Sequence, residues 1–447
     1  MAAFTVAEQL LLELMNRARL DPLGEAARLG IDLNLGLAAG TISSATKQAL
    51  APNELLESAA RSHTQYMLAT NQFNHANIGD GTPTSRIQAA GYALMGSWMT
   101  GENIAWTGTT GSADAIAQTY QIAENLFRSA GHRVNTLADG FREAGTGIIA
   151  GKFASGGTTY NAVMATENFG LSGSKVFVSG VAINDTNGNN FYDPGEAQSG
   201  VSVTVTTPGF TTGSSVTAAA GGYSVTTGAG AHVVTFSGGG LAAPVSATFY
   251  GGANNVKADL AGTNEILSSV TTSLGAGAKL LTLLGAVNAD GTGNSLDNVL
   301  TGSNGANGLS GGAGNDILIG GTGRDVLTGG AGADSFVFNS VNESGKTAGT
   351  RDIITDFTHS SYPSLADHIN VSGIDANGAL AGNTAFNWLG LWTFTGVAGQ
   401  LHYRQENPAG TVNDKTIIDG DVNGDKIADF QIELTGLKAL VISDFIL

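Results

Sequence analysis

The chain contains no cysteine, so no disulfide can hold its 447 residues together. Basic residues are scarce: 20 Lys and Arg stand against 37 Asp and Glu, a net charge of −17. That balance argues against nucleic acid or an anionic membrane surface as partner and favours bound cations. No run of about 18 apolar residues occurs, so no transmembrane helix is expected. The opening stretch MAAFTVAEQLLLELMNRARL has no basic n-region, and Glu8 and Glu13 interrupt its apolar residues. It reads as an amphipathic helix and not as a signal peptide. Taken alone, this predicts a cytoplasmic protein. The tail of the chain points elsewhere.

Glycine is abundant: 65 residues, about twice the usual share. It concentrates in GGAGNDILIGGTGRDVLTGGAGADSFVF (311–338), where a nine-residue unit G-G-x-G-x-D-x-(apolar)-x recurs without a gap. Two degenerate copies, 293–301 and 302–310, keep the spacing but carry Asn298 and Asn307 where the later copies carry Asp316, Asp325 and Asp334. Each unit offers one or two apolar side chains. That is too little burial to offset ordering nine residues at roughly 1–2 kcal/mol each. A flexible linker would not hold Asp in nine-residue phase. Calcium resolves the imbalance, because it takes six or more oxygens from carboxylates and from carbonyls that glycine turns inward. With two nine-residue half-turns per coil, Asp316 is expected to face Asp334, and Asn307 to face Asp325.

This array resembles the RTX repeats of secreted bacterial proteins. The following GTRDIITDFTHSSYPSLADHINVSGID and DGDVNGDKIADFQIELTGLKALVISDFIL resemble the C-terminal domain of serralysin metalloproteases. The resemblance implies a calcium-dependent parallel β-roll and export by a type I secretion apparatus that reads an uncleaved C-terminal signal. It therefore implies a secreted, extracellular protein, free or associated with the cell surface. The protease activity does not carry over. His63, His75, His132, His232, His359, His368 and His402 include no H-E-x-x-H pair.

A second kind of calcium loop is expected at DTNGNNFYDPGE (185–196). Asp185, Asn187, Asn189, Asp193 and Glu196 occupy positions 1, 3, 5, 9 and 12 of an EF-hand-like loop, with the Phe191 carbonyl at position 7. The left-handed position 6 falls on Asn190, which tolerates it. Strand-like flanks exclude an EF-hand domain, and the region resembles the B-type repeats of bacterial surface adhesins. A turn without an ion is the alternative. DGDVNGDKIAD (419–429) offers a less complete set: Asp421, Asn423, Asp425 and Asp429.

Residues 1–171 carry the helical periodicity. One helical stretch is expected to stop at Gly30, a second to begin near Asn53, and a third to run from an N-cap at Ser112 to an exit at Gly131. AGTGIIAGKF and TYNAVMATENFG read as strands. FNHANIGDGTPTSRIQAAGY, GENIAW and RSAGHRVNTL, with LMNRARLDP and TENFG, resemble the CAP superfamily, or SCP-like domain. The resemblance implies an α-β-α sandwich with a cleft gathering histidines and acids. Its motifs map onto His75, Glu102 and His132, a set that could hold zinc or act catalytically. The fourth member is open among Ser129, Glu124 and Glu167. His63 lies on a helix and could serve cleft or packing.

The expected architecture is multidomain: the CAP domain (1–171), a β-sandwich module with the calcium loop (172–261), the nonapeptide roll (262–340) and the serralysin-like domain (341–447). Three functions follow. The favoured one is a secreted calcium-binding protein whose cleft binds a lipid or cell-envelope ligand, with a divalent metal as an option. A hydrolase using the His/Glu cleft is the second. A structural matrix or adhesin-like protein is the third.

Overall fold

A computed structural model describes residues 4–359, 366–378, 382–406 and 414–447. Part of the serralysin-like stretch, 360–365, lies outside the described residues. The chain divides into two compact units: 1–245 with 249–263, and 264–447 with 246–248.

The first unit opens with α1 (Val6–Leu20). Thr5 caps it in a reciprocal pair with Glu8, which satisfies two of the first free N–H groups. The periodic stretch is two helices in place of one, and it stops at Gly30, left-handed at φ 64° with its N–H on the Ala27 carbonyl. Asp21 ends α1 and caps α2 (Pro22–Arg28), where Pro22 fits the first helical turn. After a two-residue strand β1 (Ala51–Pro52), Asn53 caps α3 (Glu54–Thr70), and Asn71 closes it in the left-handed region at φ 54°. α4 (Pro83–Ala89) and the long strand β2 (Trp98–Thr109) follow. α5 (Ala115–Arg128) starts at Asp114, not Ser112, because the Asp114 carboxylate reaches the N–H groups of Ile116 and Ala117. Gly131 is not an exit but lies inside a further helix, α6 (Ala130–Thr136).

β3 (Glu143–Ser155) and β4 (Thr158–Ser172) form a hairpin. The sheet order is β1-β3-β4-β2, with β1 parallel to β3 and the other pairs antiparallel. One face packs Val163 and Ala165 against Leu11 of α1 and Ile122 and Leu126 of α5. The other packs Ile104, Ala162 and Met164 against Met67 of α3. This is a helix–sheet–helix sandwich. Two glycines set the spacing of its second layer: a Cβ on Gly145 would lie 2.0 Å from the Glu57 nitrogen, and one on Gly147 2.4 Å from the Arg61 nitrogen.

The rest of the first unit is two facing sheets. One holds 256–261, 176–183 and 222–227; the other holds 213–216, 201–206 and 230–238. Val201, Val203 and Val205 point inward between half-buried neighbours, and Tyr223 meets Phe236 edge-on across the gap at 5.9 Å.

In the second unit the nonapeptide array forms parallel strands that alternate between two sheets. Residues 299–301 pair with 317–319, and 317–319 with 335–337; in the other sheet 308–313 pair with 326–331. Same-sheet partners are 18 residues apart, as the repeat phase predicts. Leu300, Leu309, Leu318, Leu327 and Phe336, nine residues apart, form the buried interior. After the array the second sheet takes 352–354, then the antiparallel run 430–435, 415–421 and 400–406.

Two outcomes test this packing. Gly147→Ala forces α3 off the sheet and should destabilise the first unit by about 3 kcal/mol in a denaturant melt. Glu167 is buried on the α1/α5 face, and burial pushes its carboxyl from 4.5 to about 7 despite a 2.9 Å bond from the Asn103 amide. A raised carboxyl contributes stability that is full below its ordinary value and lost as pH rises through about 7. Glu167→Gln should remove that slope and exceed the parent chain at pH 8 by up to about 3 kcal/mol, measured as melts across pH.

Candidate functional site

The first cleft forms where three pieces of chain meet. His75 sits on the loop after α3. Arg86 of α4 pins that loop, bonding the carbonyls of Gly81 and His75, each at 2.9 Å. Glu102 comes from the start of β2 and is buried. His132 comes from α6, which is anchored by the next residue. The buried Arg133 guanidinium bonds the carbonyls of Leu33 and Phe127 at 2.8 Å.

The structure brings all three expected residues together and adds three more. The Glu102 carboxylate accepts from Arg86 Nη2 at 2.5 Å and faces His75 Nδ1 at 2.9 Å. His63 is fully buried; its Nδ1 meets Asp80 at 2.5 Å, and its Nε2 lies 3.8 Å from Glu102. Arg86 also lies 3.4 Å from Asp80. The His75 and His132 rings are 6.5 Å apart. Burial, then the neighbouring His75, lowers the His132 pKa and favours its neutral form. His132 Nδ1 is buried with no hydrogen-bond partner, while His75 is half-exposed.

None of the three candidates for a fourth member joins them. Glu124 pairs with Arg28 on the outside. Ser129 is the N-cap of α6. Glu167 pairs across the sheet with Asn103, one position from Glu102, and so points to the opposite face. Glu102 itself is committed to Arg86 and His75. Among the described residues no group of three or more His, Asp and Glu side chains is arranged to hold a metal ion. Glu102, meeting His75 Nδ1 at 2.9 Å, orients that ring. A separate cavity of about 390 Å³ is lined by Leu55, Tyr92, Met95, Ser172 and Lys175, with no acid or histidine in its wall.

The carboxylates of the repeat form two ladders. Asp334 Oδ1 accepts from the Asp316 backbone N–H at 2.8 Å, and Asp316 Oδ1 from that of Asn298 at 2.7 Å. In the other ladder Asp325 Oδ1 accepts from Asn307 N–H at 2.8 Å. Each ladder continues beyond the repeat. Asp352 accepts from Asp325 N–H at 2.8 Å, and Asp367 from Asp334 N–H at 2.9 Å. The second oxygen of Asp316, Asp325, Asp334 and Asp352 is buried with no hydrogen-bond partner. Those of Asp316, Asp325 and Asp334 sit 2.3–2.5 Å from where a Cβ on Gly311, Gly320 or Gly329 would stand. The glycine opening each repeat thus leaves room for the carboxylate. Burial pushes Asp316 up to about 6, Asp325 to about 7 and Asp352 to about 8, against the pull of the donated N–H groups.

The two acidic loops share one backbone design. Asp185 takes the N–H groups of Gly188 and Asn190, as Asp421 takes those of Gly424 and Lys426. Asn187 and Asn423 each donate a side-chain amide to the ninth-position carboxylate, Asp193 or Asp429. Asn189 and Asp425 accept from the N–H groups of Phe191 and Ile427. Position six is left-handed in both, Asn190 at φ 54° and Lys426 at φ 71°. The first loop adds Glu196. Its Oε1 accepts from Thr186 at 2.8 Å (backbone N–H) and 2.7 Å (hydroxyl), while its buried Oε2 has no hydrogen-bond partner.

Two family models match this chain. The family model of the Cysteine-rich secretory protein family (CAP) matches residues 12–165, and that of the Peptidase M10 serralysin C terminal matches residues 299–447. Among solved structures, an extracellular protein containing a SCP domain from Bacillus anthracis str. Ames is 19% identical over 38% of this chain, with a TM-score of 0.24. The match spans 44% of that protein. The AlgE6R3 and AlgE6R2 subunits of the Azotobacter vinelandii Mannuronan C5-epimerase are 28% and 26% identical, each over 36% of this chain. The matches span 78% and 92% of those subunits, with TM-scores of 0.25 and 0.24. No curated protein matches. The chain carries a CAP domain at its N-terminus and a serralysin-type domain at its C-terminus.

Proposed function

We propose that this is a secreted protein in which calcium folds the C-terminal unit into a parallel β-roll, and in which the CAP domain is the ligand-binding part. The observation that carries the calcium reading is the set of buried carboxylate oxygens without partners on Asp316, Asp325, Asp334 and Asp352. A bare buried carboxylate oxygen costs folding free energy unless a proton or a cation meets it. A hard divalent ion, completed by the carbonyls of the glycine turns, meets several at once. Asn298 and Asn307, the two loops and the Phe191 carbonyl supply the same donor chemistry.

Calcium also gives export its logic. Low calcium inside the cell leaves the tail unfolded for a type I secretion apparatus, and calcium outside folds it. Loss of export on deleting residues 390–447, of which 407–413 lie outside the described residues, is the expected cellular result.

For the CAP domain, binding is better supported than hydrolysis. Glu102 is tied to Arg86 and is not a free base. The cleft and the 390 Å³ cavity, with its apolar wall and Lys175, fit an amphiphilic lipid or cell-envelope ligand. The hydrolase reading rests on His132, whose pKa is lowered by burial and whose Nδ1 has no hydrogen-bond partner, as a base would require. Loss of ligand retention together with unchanged hydrolysis in a His75→Ala/His132→Ala chain would separate the two.

The calcium reading is tested on the full chain. Chelator should abolish the near-UV circular dichroism of the second unit, and added calcium should restore it. Asp325→Asn should raise the calcium midpoint about tenfold. A second unit that stays fully folded in excess chelator would refute the reading.

A further inference from the structure

Among the described residues of the first unit, the joint between the CAP domain and the two-sheet module has two parts. One is built from fixed protein groups. The Lys257 ammonium lies 2.6 Å from Glu13 of α1 and 2.7 Å from Asp259. The Asn255 amide bonds the carbonyls of Ala49 at 2.9 Å and Arg142 at 2.6 Å. The other part runs through the loop at 185–196. Tyr120 of α5 donates its hydroxyl to Asp193 Oδ1 at 3.0 Å, and the Arg17 guanidinium of α1 lies over the Phe191 ring at 5.1 Å.

We propose that the 185–196 loop is a calcium site completed by the CAP domain, with Tyr120 as the residue that positions Asp193, so that ion binding and docking of α5 are linked. The proposal rests on the calcium reading of this loop and adds a partner to it. Tyr120 takes Asp193 Oδ1 and leaves Oδ2 turned into the loop, where the amides of Asn187 and Asn189 converge on it at 2.8 Å each. A cation in the loop would face the same oxygen. The second observation pointing to an ion is Glu196, only 7% exposed, whose Oε2 is buried without a hydrogen-bond partner although Oε1 is held by Thr186. A carboxylate held from outside by a hydroxyl is pre-oriented for its ion, and removing such a support commonly costs tenfold or more in affinity. By reciprocity, whatever Tyr120 adds to calcium binding, calcium adds to the seating of α5.

The test is hydrogen–deuterium exchange on the full chain, stripped with chelator and titrated with calcium chloride. Calcium should slow exchange in 185–196 and in 115–128 with a common midpoint. Tyr120→Phe should move the 185–196 midpoint up about tenfold while leaving that of the 307–334 ladder unchanged. Asp185→Ala should abolish the calcium-dependent protection of 115–128. A 185–196 midpoint unmoved by Tyr120→Phe, or a 115–128 segment indifferent to calcium while 185–196 responds, overturns the linkage and leaves the loop reading standing. A 185–196 segment that ignores calcium in the parent chain overturns both.

Discussion

A buried carboxylate with one oxygen bonded and the other bare is the constraint on which the second unit depends. In Asp316, Asp325, Asp334 and Asp352 the first oxygen takes the backbone N–H of a neighbouring rung, which fixes the register of the coil. The second faces no donor. The N–H bonds favour the ionised form, burial opposes it, and burial wins: Asp325 is pushed to about 7 and Asp352 to about 8. The same side chain therefore sets the register and needs a proton or a cation at its second oxygen. The interior row from Leu300 to Phe336 gives each rung one buried apolar residue, too little to carry that demand alone.

The repeat was legible because its phase is also its geometry. Residues 18 apart share a sheet, so Asp316–Asp334 and Asn307–Asp325 could be paired from spacing. Asp352 and Asp367 could not be. They lie 27 and 33 residues from the rungs they extend, after the chain has left the nine-residue phase. The ladder outlasts the pattern that announces it. In the CAP domain the losses are local. Ser112 and Asp114 are both good caps, and only the fold shows that Asp114 reaches two N–H groups. Gly131 looks like a helix exit, but the buried Arg133 anchors that stretch as a helix of its own.

The cleft shows a different limit. Motif resemblance maps onto His75, Glu102 and His132, and the structure gathers the three in one region. What it could not give is how Glu102 is spent. Arg86 lies in the short helix after the His75 loop, and its guanidinium claims one Glu102 oxygen while His75 claims the other. A residue type that could serve as ligand or base becomes an orienting group once a cation is fixed 2.5 Å away. His63 and Asp80 extend the same network beneath it. The polar set is buried below and open at the half-exposed His75.

The two acidic loops show how one local design acquires different roles from its surroundings. Their backbone turns and most of their side-chain bonds correspond, the amide of Asn189 on Asp193 having no counterpart at Asp425. Their outer partners differ. Asp193 receives the neutral hydroxyl of Tyr120, whereas Asp429 faces the Lys346 ammonium at 3.2 Å, with Lys426 inside its own loop. A fixed positive charge beside the site competes with a divalent ion, and a phenol does not. At position seven, Phe191 is covered by Arg17 while Ile427 is 64% exposed. Each loop has a cation nearby, Arg17 over Phe191 and Lys346 on Asp429, while packing and the Glu196 carboxylate single out the 185–196 loop. It has the Glu196 carboxylate, no competing ammonium among its described partners, and a neighbouring domain resting on it. An ion there would do more than order a turn, because the groups that hold the loop in place belong to the helices it supports.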